Sequence, residues 1–325
     1  MKAIVQDRYG SPDSLAFRDI DTPAPRADEV LVRVHAAAVN AYDWHFMRGD
    51  PRLARLTMGF GAPKQKIRGR DFAGRVEAVG PAVAGLRPGD EVYGEADGAF
   101  AEYVCVPGDQ LGPKPANLTF EQAAAVPLAG NTALMGVRDV GRVQSGQRVL
   151  VNGASGGVGT FAVQIAKALG AEVTGVCSTR NADLVRSIGA DRVVDYTRED
   201  FARDGQRYDV VFDLVGNRSL ADLRRVLTPE GTLVLSGGGV SKPRGTLVGP
   251  MGLIIRGQLM SRFIRQRVVV LQAKASRSNL AALRELIESG KVVPVIDQTY
   301  KLPEAAEAIR YLESEHPRAK VVITV

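Results

Sequence analysis

Val149-Leu150-Val151-Asn152-Gly153-Ala154-Ser155-Gly156-Gly157-Val158-Gly159 runs from an apolar strand into a glycine-rich turn. Thr160-Phe161-Ala162-Val163-Gln164-Ile165-Ala166-Lys167 continues it as a helix that stops at Gly170. Glycines at such a turn let the backbone come close to a pyrophosphate, whose charge the first helical N–H groups and the helix dipole then bind. A glycine cluster by itself is often only a turn. Here an apolar run from Glu172 to Cys177 follows the helix, so strand, turn, helix and second strand stand in the order a dinucleotide site requires.

The end of that second strand reads as the selector between dinucleotides. A site for NAD usually has an Asp or Glu about 20 residues past the glycines, accepting from the ribose hydroxyls. This chain has Val176-Cys177-Ser178-Thr179-Arg180 there. Two hydroxyls and a guanidinium suit a 2′-phosphate, which a carboxylate would repel, so NADPH is the expected cofactor. The alternative is that Ser178 and Thr179 are loop residues and Arg180 a solvated charge ahead of a helix capped by Asn181.

Outward from this unit, residues 192–194, 209–213 and 232–236 read as further buried strands, with helical periodicity between the first few, which predicts a parallel, doubly wound sheet. Before it the texture differs. Short β-rich runs at 29–39, 73–79 and 91–93 are separated by turns such as Arg87-Pro88-Gly89-Asp90, the pattern of an irregular β-barrel. Thr119 and Gln122 form a capping-box signature where the helical texture begins. After it come a helix at 278–289 ended by Gly290, a helix opened by Pro303, and a terminal strand at 320–325.

The chain has 325 residues, 45% hydrophobic, enough for two cored domains. Its formal charge of +6 is spread along the sequence, which favours anionic ligands and says little about nucleic acid. Two cysteines, Cys105 and Cys177, exclude a disulfide framework and a four-thiolate metal site. No apolar run approaches the roughly 20 residues of a membrane span, and a cytoplasmic location is expected.

Several landmarks, in order over nearly the whole chain, resemble the quinone oxidoreductase branch of the medium-chain dehydrogenase/reductase superfamily, in its zinc-free form. They are Val39-Asn40-Ala41-Tyr42-Asp43-Trp44, Gly69-Arg70-Asp71-Phe72-Ala73-Gly74, Ala99-Phe100-Ala101-Glu102-Tyr103, Ala123-Ala124-Ala125-Val126-Pro127, the glycine turn, Ile188-Gly189-Ala190-Asp191 and Ala319-Lys320-Val321-Val322-Ile323. The resemblance implies an α/β architecture in two domains. One is a GroES-like β-barrel catalytic domain split in sequence (residues 1–125 and 268–325), and the other a Rossmann nucleotide domain (126–267), with the nicotinamide in the cleft between them. It implies phosphate contacts from Gly153, Ala154, Ser155, Gly156, Gly157 and Val158, and 2′-phosphate contacts from Ser178, Thr179 and Arg180. Tyr196 is similar to a tyrosine beside the adenosine, and Thr132 to a threonine near the nicotinamide ribose. Leu214, Val215, Gly216, Ser236, Gly237 and Gly238 stand at later strand ends, where an open sheet meets its ligand. For each, packing or turn formation is the alternative. A homodimer is also implied.

Zinc-dependent relatives carry a Cys in the early Val-Asn motif and a His-Glu pair where this chain has Arg70-Asp71, and neither is present here. His35, His45 and His316 have no partner spacing for a tetrahedral site, so no metal is expected. Hydride arriving at an enone or quinone leaves charge already spread over conjugated oxygen, which hydrogen bonds and a water proton can satisfy. A quinone, enone or activated carbonyl is therefore the expected acceptor. Asn40 resembles a family residue near nicotinamide and substrate oxygen. Asp43 orders its turn, and His45 is a candidate proton donor near neutrality; the alternative is that Tyr42, Trp44 and His45 simply pack. The preceding glycine of the family's Gly-Lys pair is Ala319 here, which bears on any cofactor role for Lys320.

The arginine-bearing apolar stretch 247–267 could cover the substrate, form a dimer contact or rest on an anionic membrane. Two other function classes are thus open: an NADPH-binding protein without turnover, acting as redox sensor or RNA binder, and a peripheral membrane adaptor. No basic patch interleaved with aromatics supports nucleic-acid binding.

Overall fold

A computed structural model describes residues 1–50, 55–237, 265–315 and 317–325. The chain forms two compact units, one of Met1–Asn131, Ala275–Glu288 and Pro294–Val325, the other of Thr132–Lys274 and Ser289–Val293.

The first unit opens with the antiparallel pair β1 (Lys2–Gln6) and β2 (Leu15–Asp19). Its main sheet has seven strands: β3 (Glu29–Val39), β4 (Asp71–Val79), β5 (Glu91–Glu95), β6 (Tyr103–Pro107) and β7 (Leu111–Pro113) from the front of the chain, with two from its end. β3 is long enough to pair with both β4 and β6, because its inward residues Val30, Val32, Val34, Ala37 and Val39 belong to one continuous core.

The second unit holds six strands, β8 (Arg148–Asn152), β9 (Glu172–Cys177), β10 (Arg192–Asp195), β11 (Tyr208–Asp213), β12 (Leu227–Leu235) and β13 (Arg267–Val270). They lie in the order β10-β9-β8-β11-β12-β13, with every pairing parallel. The order reverses between β8 and β11. Open sheets of this kind bind ligands at that reversal, outside the carboxyl ends of the strands. β8, β9 and β11 are nearly all buried, as sheets covered on both faces require.

Two details depart from the sequence reading. β12 begins at Leu227, not 232, and carries Thr228-Pro229-Glu230-Gly231, with a register shift against β11 between Tyr208 and Val210. β13 begins at Arg267 and pairs with β12, so residues 268–270 extend the parallel sheet and do not open the second piece of the barrel unit. Among the stretch 247–267, residues 247–264 lie outside the described residues, as do Gly238 and His316.

The chain then returns to the first unit with β14 (Ile296–Lys301) and β15 (Lys320–Thr324). β15 pairs parallel with β14 and antiparallel with β3, so the carboxyl end completes the sheet that the amino-terminal third began. Among the described residues no helix is long and apolar enough to cross a membrane.

Ala319, just before β15, is held at φ 68 and is 4% exposed. A left-handed conformation costs a side chain about 1–2 kcal/mol, partly offset on changing to glycine by the greater freedom of the unfolded chain. Ala319→Gly is therefore expected to raise the unfolding free energy by roughly 0.5–1 kcal/mol in a urea titration. An equal loss would show that the buried methyl outweighs the backbone strain.

Candidate functional site

The ends of β8, β11 and β12 are laced together by polar groups. Asn152 donates from Nδ2 to Asp213 Oδ1 at 2.8 Å and to Asn217 Oδ1 at 3.0 Å. The same Asp213 oxygen accepts the backbone N–H groups of Val215 and Gly216 at 3.2 and 3.1 Å. Leu214 N–H donates to the Asn152 carbonyl and Ser236 N–H to the Asp213 carbonyl, at 3.1 and 2.9 Å. A buried carboxylate thus shapes the 214–216 turn, and the strand ends form one rigid rim.

The glycine turn sits on this rim. Gly153 has φ 89, and a Cβ there would lie 2.8 Å from Val215 Cγ2. At Gly159 a Cβ would stand 2.1 Å from the Gly153 carbonyl oxygen, so helix Gly157–Ala168 seats directly on the turn. The N–H groups of Gly153 and Ala154 are spent on the Val176 carbonyl, and that of Gly156 on the Gly153 carbonyl. Of the six residues expected to meet phosphate, these three instead fix the turn through their amides. Helix geometry leaves Gly157 and Val158 N–H without intrahelical acceptors, and no acidic residue occupies the first turn to repel an anion.

Next to it, β9 ends at Cys177 and leads through Ser178 into a tight turn, Thr179–Asn181. Ser178 is partly exposed, and Thr179 and Arg180 are exposed. Thr179 Oγ1 donates to Asp195 at the end of β10, and Thr197 Oγ1 donates to the same carboxylate at 2.7 Å. These hydrogen bonds, Thr179 first, hold the Asp195 carboxyl below its usual range. The Thr179 proton is therefore engaged within the protein, beside a partly exposed Ser178 and an exposed Arg180. Tyr196 is half exposed, and its N–H donates to the Cys177 carbonyl at 3.0 Å. Leu214, Val215, Gly216, Ser236 and Gly237 thus share the rim with the glycine turn, and Tyr196 borders the turn after β9. Thr132 lies buried in helix Pro127–Leu134.

The first unit carries a buried polar cluster. Asn40 is the N-cap of helix Ala41–Arg48, and its N–H donates to Asp43 Oδ2 at 2.8 Å. The Asn40 side chain is fully engaged: Nδ2 donates to Asp71 Oδ2 at 3.0 Å and to the Ala38 carbonyl at 3.2 Å, while Oδ1 accepts from Lys320 Nζ. Lys320 also reaches Asp71 at 3.5 Å, and Asp71 accepts Leu128 N–H at 3.1 Å. Burial pushes the Asp43 carboxyl up to about 7, against the Asn40 hydrogen bond that favours its ionised form. Arg68 is 3% exposed, with Nε and Nη2 buried and unpartnered. Desolvation lowers its pKa, and the charges of Asp43 and Asp97 work the other way.

His45 is half-buried, its ring edge-on to Trp44 at 4.5 Å and its Nδ1 3.1 Å from the Asp50 carbonyl. A carbonyl can only accept, so Nδ1 carries the proton and Nε2 is left as an acceptor. Desolvation lowers the His45 pKa. Burial thus disfavours the charged ring that a proton donor near neutrality would need.

Residues 26–116 match the alcohol dehydrogenase GroES-like domain, and residues 188–323 match the zinc-binding dehydrogenase domain. The chain is 34% identical over 99% of its length to a chloroplastic NADPH-dependent alkenal/one oxidoreductase of Arabidopsis thaliana, spanning 79% of that protein. The quinone oxidoreductase of Coxiella burnetii superposes with a TM-score of 0.86 at 31% identity, covering 100% of this chain and 99% of that one. Escherichia coli quinone oxidoreductase, solved with NADPH, gives 0.85 at 26% identity, with both chains covered at 100%. The chain belongs to the zinc-free quinone oxidoreductase branch of the medium-chain dehydrogenases/reductases.

The donor set of this member does not fit the zinc of the matched domain's name. At the positions where zinc-dependent relatives place ligands, Arg70 is paired with Glu95 and Asp97, at 3.1 and 3.0 Å, and Asp71 is taken up by Asn40 and Lys320. Among the described residues no group of three or more His, Cys, Asp or Glu is placed to hold a metal ion.

The role of Lys320 is one that sequence reasoning missed: it is a buried counter-ion to Asp71, not a surface lysine. The signal was present in Gly69-Arg70-Asp71 and in the lysine that opens an apolar terminal strand, since a charge in such a run needs a partner. Arg68 and Asp213 gave no comparable signal.

Two outcomes are expected. Gly159→Val drives a side chain into backbone on two sides and should weaken dinucleotide binding roughly tenfold or more in a fluorescence titration; undiminished binding would separate the helix seat from the phosphate site. Asp43, whose folded pKa is raised, binds more protons folded than unfolded between about pH 4 and 7, so its contribution to stability falls as pH rises through that window. Asp43→Asn keeps an acceptor for Asn40 N–H, and should gain stability on wild type from pH 4 to 8, read by thermal denaturation.

Proposed function

We propose that this protein is an NADPH-dependent, metal-independent reductase that delivers hydride to a quinone or to the electron-poor carbon of an enone or activated carbonyl. The observation that carries the reading is the rim around residues 153–159, which is open at the strand reversal, has free helix N–H groups, and is flanked by Ser178 and Arg180 where a dinucleotide's 2′-phosphate would lie. The relatives named for NADPH, alkenals or quinones support it.

The bound dinucleotide supplies the hydride. The protein's part is to hold and orient: Gly157 and Val158 N–H donate to phosphate oxygens, and Arg180 neutralises the 2′-phosphate charge. Val215 and Leu214 stand against Gly153, where a side chain on the turn would meet them. The acceptor's oxygen takes up the arriving charge by conjugation and is protonated from water, so a member lacking a Lewis acid favours activated acceptors over simple ketones.

The test is NADPH oxidation against a panel of quinones, 2-alkenals and simple ketones. Turnover with the first two and little with the third is expected, whereas tight NADPH binding without turnover on any acceptor would favour a sensor. Arg180→Ala should raise KM for NADPH about tenfold or more while changing that for NADH little. Equal effects on both would remove the phosphate role from Arg180.

A further inference from the structure

One side-chain bond joins the glycine turn to the turn after β9. Asn181 stands at the N-cap of helix Ala182–Ser187, where an asparagine ordinarily turns its oxygen onto the N–H groups of its own first turn. It makes no such bond. Its side chain, with the residue 5% exposed, reaches back 26 positions, and Nδ2 donates to Ser155 Oγ at 3.0 Å. The amide's Oδ1 is buried without a hydrogen-bond partner. Forgoing a cap and leaving a buried acceptor unsatisfied both cost stability, and one bond to a serine hydroxyl does not recover that cost.

We propose that Asn181 is a positioning residue for the dinucleotide pyrophosphate, acting through Ser155. By donating to Oγ it occupies a lone pair of that hydroxyl, and a hydroxyl whose oxygen already accepts is left with its proton to give. Ser155 thereby presents a donor, not a lone pair, to a phosphate oxygen beside the Gly157 and Val158 N–H groups. The same bond fixes the distance between the pyrophosphate turn and the turn carrying Ser178 and Arg180. This inference rests on the dinucleotide reading above, but it concerns the pyrophosphate, which NADPH and NADH share, and not the 2′-phosphate.

The experiment is a calorimetric titration of NADPH and of NADH into wild type, Asn181→Ala, Ser155→Ala, the double variant and Asn181→Asp, with the thermal midpoint of each ligand-free protein. Asn181→Ala and Ser155→Ala should each weaken both dinucleotides by a similar factor, roughly three- to tenfold. The double variant should bind no worse than Ser155→Ala alone. Asn181→Asp, which can only accept from Ser155, should do no better than Asn181→Ala. If Asn181→Ala costs as much in the Ser155→Ala background as in wild type, the asparagine merely holds its own helix and the proposal fails. Wild-type affinity in Asn181→Asp would mean that the hydroxyl points inward, and would overturn it equally. A NADPH-only loss in Asn181→Ala would move the role to the 2′-phosphate, and binding of neither dinucleotide by wild type would remove the cofactor reading itself.

Discussion

The approach of Gly159 to the carbonyl of Gly153 sets the geometry of the nucleotide unit. With the place of a Cβ only 2.1 Å from that oxygen, no other residue lets helix Gly157–Ala168 start where it does. The start of the helix fixes where its unpaired N–H groups point. The polar lacing of Asn152, Asp213 and the 214–216 backbone holds the opposite lip. Because Asp213 accepts three donors through one oxygen, the rim is specified by hydrogen bonds of defined direction, which packing alone does not supply.

The barrel unit solves a different problem, that of joining distant pieces of chain. Asn40 and Asp71 come from the first quarter of the sequence and Lys320 from its end, and they meet as one buried cluster. Removing any partner would strand a charge or amide in a low-dielectric interior, a larger loss than the pair's net worth. The cluster therefore specifies that β15 closes against β3, and it consumes the Asn40 side chain that the family resemblance places near substrate.

Much of the fold was legible from short-range pattern. β3, β8 and β9 fall where alternation or an apolar run bounded by turns places them, and Thr119 with Gln122 forms the capping box its spacing implies. Pattern misled where a turn-like string was absorbed into a strand: Thr228-Pro229-Glu230-Gly231 looks like a break, yet β12 runs through it beside a shifted β11. The glycine turn was legible because its chemistry lies within eleven consecutive residues. Asn181 was read as a helix cap; it holds that position, but its side chain serves Ser155. Lys320 carried a partial signal, a charge opening an apolar strand, but its partner Asp71 lies far away in sequence; Arg68 was opaque, since residue type alone does not say which groups burial will set around it.

Amide hydrogen exchange across residues 153–159, with and without saturating NADPH, reads whether the first helical N–H groups hold the dinucleotide. Strong slowing at Gly157 and Val158, whose N–H groups the fold leaves without internal acceptors, is the predicted result. Unchanged exchange at those two amides, with protection appearing elsewhere in the chain, would contradict it.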